Sequence, residues 1–209
     1  MLKTRIAVFV SGGGTNLQAL IDAQQRGELG GGEIVAVIST KEGAYALERA
    51  ARAGIPGYVV PRKAYPSNQA MTIAMVEKLK ELDIQLVVLA GCMVIFTSEL
   101  VDTYPNAIMN VHPALIPSFC GKGFYGLHVH EAALAYGVKL SGATVHFVSE
   151  ECDGGPIIAQ KAVPVMEGDT PETLQRRIME EAEWKVLPEA VSLFCQGRLT
   201  VEGRKVVIS

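Results

Sequence analysis

The chain opens on "RIAVFVS" (5–11), a run that is apolar almost without alternation, and "EIVAVIST" (33–40) and "LVVLA" (86–90) repeat the pattern. "GYVV" (57–60) and "AIMNVH" (107–112) are shorter versions of it. Continuous β-branched runs of this length suit strands covered on both faces, as in a parallel sheet. Between the strands, apolar residues recur at helical spacing. Asn16 to Arg26 follows a glycine cluster, and Tyr45 to Ala53 ends at Gly54, a residue suited to the C′ position. Asn68 to Leu82 sets Met71, Ala74, Met75, Leu79 and Leu82 on one stripe behind Ser67, a predicted N-cap.

Past residue 140 the pattern changes. "GATVHFVS" (142–149) and "PIIAQKAVPV" (156–165) read as two strands joined by "EECDGG", a hairpin or tight loop. A final helix is predicted from Thr170-Pro171, a cap followed by proline at the first helical position, to about Pro188. The tail "RLTVEGRKVVIS" can form a last hairpin. These elements predict one α/β domain over 1–209, with a mostly parallel central sheet, helices on both faces and a more antiparallel C-terminal half. Its halves fall at about 1–100 and about 101–209.

Composition narrows the class. With 209 residues the chain can bury a substantial core, and 49% hydrophobic against 20% charged residues excludes a disordered segment. A net charge of −3 argues against a nucleic-acid partner. No apolar stretch approaches the roughly 20 residues that span a bilayer, and the first run reads as a strand rather than a signal peptide. Cys92, Cys120, Cys152 and Cys195 are scattered without metal-ligand spacing. Free thiols in a reducing, cytoplasmic setting, with no metal and no membrane, are therefore expected.

Two places carry candidate chemistry. "VSGGGTNLQAL" puts three glycines between the first strand and first helix, so backbone can approach a ligand and the helix start offers free N–H groups to an anion. It is neither GxGxxG nor a GK[ST] loop, which favours a phosphate monoester, with Thr15 and Asn16 as side-chain donors, over a dinucleotide or triphosphate. A turn needed only for chain reversal is the alternative. The second place is "NVHPALIPSF": Asn110 and His112 lie two apart near a strand end, on one face, and can share a cleft with the phosphate. Asp153, in "CDGG", adds a carboxylate. An amide, an imidazole and a carboxylate can stabilise an oxyanion and move a proton, which suits acyl transfer to an amine without a covalent enzyme nucleophile. A core histidine bonded to a backbone carbonyl is the plainer reading of His112. His128 and His130 lack a third ligand and read as loop or surface residues. His146 reads as core or site wall.

"SGGGTNLQ", "NVHPALIPSF", "GATVHFV" and "DGGPIIAQ", in this order, resemble the phosphoribosylglycinamide formyltransferases, folate-dependent enzymes of purine biosynthesis. The resemblance covers nearly the whole chain. It implies a Rossmann-like formyltransferase fold and transfer of a formyl group from 10-formyltetrahydrofolate to 5-phosphoribosylglycinamide. Asn110, His112 and Asp153 match the catalytic trio, with a protonated His112 and Asn110 facing the developing charge and Asp153 orienting the imidazole. Gly14, Thr15 and Asn16 match the phosphate loop. "MEEAEW" matches a segment that contacts the acceptor, through Glu183 and Glu180 on the amine and ribose side. The folate is expected against Met93, Val94, Ile95 and Phe96, the loop Ser149, Glu150, Glu151, Cys152 and Asp153, and also Asn68 and Asn110. Some relatives carry arginines where Val94 and Asn68 stand. The implied partners are small molecules, and the protein is expected as a monomer or homodimer. The competing readings are another user of the same formyl donor, such as the hydrolase, and a non-catalytic module that binds a phosphorylated ligand.

Overall fold

The computed structural model describes residues 3–92, 94 and 96–209. Strands β1 (Thr4–Val10), β2 (Gly32–Ser39), β3 (Gly57–Val59), β4 (Leu86–Leu89) and β5 (Ile108–His112) pair in parallel, in the order β3-β2-β1-β4-β5. β6 (Leu140–Phe147) runs antiparallel to β5, and β7 (Ile157–Pro164) antiparallel to β6. A hairpin of β8 (Leu199–Glu202) and β9 (Lys205–Ile208) continues the sheet through β9 beside β7. The polarity of the sheet therefore reverses at the β5–β6 boundary.

The uniform hydrophobicity of β1 has a direct cause in the packing. Ile6, Val8 and Val10 face a core built with Leu17, Leu20 and Ile21 of α1 (Thr15–Gln25) and Leu187 and Val191 of α7 (Trp184–Cys195). Ala7 and Phe9 face the other way, onto Met71, Met75 and Leu79 of α3 (Asn68–Glu81). Met71, Met75 and Leu79 are fully buried, each contributing about 1.5–3 kcal/mol. The N-cap of α3 is as expected, with Ser67 Oγ accepting from Ala70 N at 3.1 Å. α2 (Tyr45–Arg52) and α5 (Leu127–Tyr136) complete the longer helices. α4 (Ser98–Thr103) was not foreseen, because six residues are too few to display a helical period.

Two expectations need correcting. The last helix begins as predicted, with Thr170 and Thr173 exchanging bonds and Pro171 first in α6 (Pro171–Ile178). It does not stop near Pro188. The chain passes through a π-helical turn at Met179–Glu183 and runs on as α7 to Cys195, with Pro188 inside it. The wide turn shifts the helical phase, which puts Ala182 and Glu183 on the buried side. The pair His128 and His130 also divides. Two residues apart on α5, they point to opposite sides of the helix. His128 is exposed and bonded to Glu131 at 3.0 Å, whereas His130 is fully buried. Neither ring nitrogen of His130 has a partner among the described residues, and burial, reinforced by His112, holds its pKa down to about 4.

Candidate functional site

The site is assembled from the register of β5 and β6. Asn110 and His112 share a face because strand side chains alternate. His146 stands directly opposite Asn110, and Thr144 opposite His112, so all four side chains occupy that one face. Thr144 Oγ1 donates to Ala114 O at 2.7 Å and accepts from Ile116 N at 3.1 Å, fixing the chain that leaves β5. The loop after β6 returns over this face. Its Asp153 adopts a left-handed φ of 55°, which the short polar side chain of aspartate tolerates. A Cβ on Gly155 would lie 1.8 Å from Phe147 O, so the loop folds back onto β6 only with glycine there.

Asp153 is the hub. Its Oδ2 accepts from Gly121 N at 2.9 Å and lies 3.6 Å from His112 Nδ1. Its Oδ1 lies 3.6 Å from His146 Nε2 and accepts from Asn110 Nδ2 at 3.4 Å. Burial alone would raise this carboxyl. The His146 contact, the Gly121 N–H and the two imidazoles outweigh it and hold the pKa at about 2. His112 Nε2 faces Phe119 O at 2.8 Å, and a carbonyl only accepts, so Nε2 carries a proton and Nδ1 is the nitrogen facing the carboxylate. The same logic puts a proton on His146 Nδ1, 2.8 Å from Phe147 O, and its Nε2 faces both Asn110 Nδ2 at 3.2 Å and Asp153 Oδ1 at 3.6 Å.

In the unliganded site the His112 ring is harder to protonate than a free imidazole. Burial pushes its pKa below the usual histidine value, against the upward pull of Asp153 and the Phe119 carbonyl and with a further downward push from His146. The ring is therefore neutral in the unliganded protein near pH 7, with Asp153 placed to support a proton that arrives at Nδ1. The thiols give no sign of a nucleophile. Burial, then the Asp153 charge, raises both Cys120 and Cys152.

A cavity of about 880 Å³ opens above these groups, lined by Asn110, His112, His146 and Asp153 at its polar end. Val94, Phe96, Ser149, Glu150, Glu151 and Cys152 also line it, and Lys122 from the 121–126 loop joins them. Met93 and Ile95 fall outside the described residues. Asn68 does not line the cavity; its Oδ1 accepts from Arg62 Nε at the start of α3.

The glycine loop does not itself line this cavity and lies to one side of it. β4 stands between β1 and β5, which puts the two strand ends roughly 10 Å apart, two inter-strand spacings. Thr15 lines a smaller depression of about 230 Å³ with Arg49 and Trp184. Gly14 precedes α1 at φ 72°, and a Cβ there would lie 2.6 Å from Ala46 Cβ. A bulky residue at 14 would therefore break the loop's packing, whereas Gly12 and Gly13 have open space around them. Asn16 is also not a free donor. Its Nδ2 donates to Glu183 Oε2 at 2.7 Å, leaving Oδ1 buried without a partner among the described residues. Burial raises Glu183 to about 6, only partly offset by the Asn16 bond. Glu180 is exposed on the opposite side of the π-turn. His146 is the residue that reading along the chain undervalued, since only the β5–β6 register reveals that it meets Asn110.

An amide–imidazole–carboxylate cluster beside a cavity on an α/β sheet is a set of groups suited to acyl transfer. The chain belongs to the formyl transferase family, whose model matches residues 4–191. It is 40% identical to the chloroplastic phosphoribosylglycinamide formyltransferase of Arabidopsis thaliana, over 94% of this chain and 67% of that protein. It is 43% identical to the trifunctional purine biosynthetic protein adenosine-3 of Gallus gallus over 95% of this chain, but spans only 19% of that protein's length. Glycinamide ribonucleotide transformylase 1 from Symbiobacterium toebii superposes with a TM-score of 0.93 at 47% identity, covering 99% of this chain and 94% of that one.

Proposed function

We propose that the protein transfers the formyl group of 10-formyltetrahydrofolate to the primary amine of 5-phosphoribosylglycinamide, giving 5-phosphoribosyl-N-formylglycinamide and tetrahydrofolate in de novo purine synthesis. The observation that carries this reading is the separation of two polar ends by two strands. An acceptor with a phosphate at one end and an amine at the other, about 10 Å long, bridges the glycine loop after β1 and the Asn110–His112 end of β5. The 880 Å³ cavity, with Val94, Phe96 and Val148 on its walls, suits a flat apolar ring system with a polar rim, as a reduced pterin is.

The acceptor amine attacks the formyl carbon, the carbon–N10 bond of the folate breaks, and the amine proton ends on N10. Charge develops on the formyl oxygen. Asn110 Nδ2 meets it by giving up its longer bond, the 3.4 Å one to Asp153. His112 shuttles the proton, and Asp153, ionised at any neutral pH, stabilises the imidazolium that forms briefly at Nδ1. At the other end the N–H groups at the start of α1 hold the phosphate. Glu183 and the free Oδ1 of Asn16 accept from the amine and ribose side of the acceptor, with Glu180 at the rim.

Mixing the protein with 10-formyltetrahydrofolate, with and without 5-phosphoribosylglycinamide, and following deformylated folate by absorbance tests the reading. Turnover that requires the acceptor is the expected result. Equal turnover without it would mean hydrolysis, and none in either case would leave a binding module.

A further inference from the structure

Granting that the glycine loop holds the acceptor's phosphate, we infer that Arg49 is the positioning residue that aims this loop. Two successive carbonyls of the loop are taken by α2: Gly12 O accepts from Ala46 N at 3.1 Å, and Gly13 O accepts from Arg49 Nε at 2.8 Å. In a planar trans peptide the N–H points opposite the carbonyl. The N–H groups of Gly13 and Gly14 are thereby turned away from α2, and neither has a protein acceptor among the described residues. Successive outward N–H groups of this kind form an anion-binding concavity, which continues into the free N–H groups at the start of α1.

Arg49 is itself held on three sides. Its Nη1 donates to Gln18 Oε1 at 3.0 Å, and Gln18 Nε2 donates in turn to Asp22 Oδ1 at 2.8 Å. Its guanidinium carbon sits 5.1 Å from the centre of the Tyr45 ring. The planar fork thus ties α2 to α1 across the loop, and it lines the depression that also contains Thr15. A lysine could reproduce the charge but not this two-armed geometry. The Ala46 bond orients the first peptide, and Arg49 the second, the one whose N–H belongs to Gly14.

The test is phosphate binding and acceptor kinetics on the whole protein, in Arg49→Ala, Arg49→Gln and Arg49→Lys. Affinity for inorganic phosphate, by calorimetry, and the KM for 5-phosphoribosylglycinamide should both weaken about 10- to 100-fold, the loss one charge-assisted hydrogen bond carries. kcat at saturating acceptor and folate affinity should stay within about twofold, since His112 and its cavity lie two strands away. Arg49→Lys should recover little of the loss. Parent-like phosphate affinity in Arg49→Gln, a full recovery in Arg49→Lys, or equal weakening of folate and phosphate would overturn the inference. Thermal melts of all three variants identify any that fail to fold, and Arg49→Gln, which retains a side-chain donor, carries the test if Arg49→Ala does. A parent that binds phosphate but shows no acceptor-dependent turnover sinks the transfer reading alone, because the calorimetric comparison still decides the role of Arg49.

Discussion

Asp153 and Glu183 are both carboxylates that the fold takes out of water, with 10% of one side chain and 6% of the other residue left exposed, yet their acidities move in opposite directions. Asp153 is held at about 2 and Glu183 is lifted to about 6. Burial penalises the charge in both. The difference lies in what surrounds each carboxylate: Asp153 accepts from the Gly121 N–H and the Asn110 amide and has two imidazoles 3.6 Å away, whereas Glu183 meets the Asn16 amide alone among the described residues. Burial sets the penalty, and the count of partners decides whether it is overcome. Asp153 is thus held as an anion, while Glu183 is a carboxyl that changes charge just below neutrality.

The largest effect expected from breaking this contrast is at the imidazole that Asp153 faces. His112→Ala should lower turnover by roughly 10² to 10⁴ while leaving the melting profile near that of the parent; turnover within a fewfold of the parent would end its catalytic assignment. Asp153→Asn should reduce turnover comparably and also remove a stability contribution. A carboxyl with a depressed folded-state pKa stabilises the fold above its unfolded value, near 3.8, and that gain fades as pH falls towards 2. The parent should therefore lose about 2 kcal/mol more than the Asn variant over that window. Urea titrations of both proteins at pH 2 to 5 make the comparison.

Glu183→Gln tests the opposite sign. A raised folded-state pKa gives stability below the unfolded value near 4.5 that is lost as pH rises through 6. The parent should weaken by about 2 kcal/mol relative to the Gln variant between pH 4.5 and 7, and parallel curves would show that Glu183 is not burdened by burial. The smallest effect is expected at Lys122, an exposed cation on the cavity rim. Lys122→Ala should cost about 0 to 1 kcal/mol in affinity for polyglutamylated folate and nothing for the monoglutamate. A strong polyglutamate preference that survives the substitution would place the tail elsewhere.

The sheet and most helices were legible because their cause is local. Residues of β1 and β2 are apolar on both faces since both faces are covered, and Ser67 and Thr170 announce helix starts by chemistry that needs no tertiary context. Asn110, His112 and Asp153 stood out as polar groups at odds with their surroundings, and the cavity gathers all three. What stayed hidden depends on register or phase. His146 joins the cluster only because β6 pairs with β5 at that offset, and Glu183 turns inward only because the π-turn adds a residue to the helix. The direct bond between Asn16 and Glu183 could not be read either, for the residues are far apart in the chain.

That bond, spanning 167 positions, has a consequence for how the protein comes into being. β1 to β4 can pair once the segment through Leu89 has been synthesised, since their contacts lie within some ninety residues. The Asn16–Glu183 pair cannot form then, because Asn16 waits for a helix that lies 167 residues further along the chain. A nascent chain halted before Glu183 would present a formed glycine loop with an unpartnered Asn16 amide, and contacts of such long separation are the last that loop closure allows. The Asn16–Glu183 pair is therefore a feature the chain acquires only after the parallel strands β1 to β5 have been made.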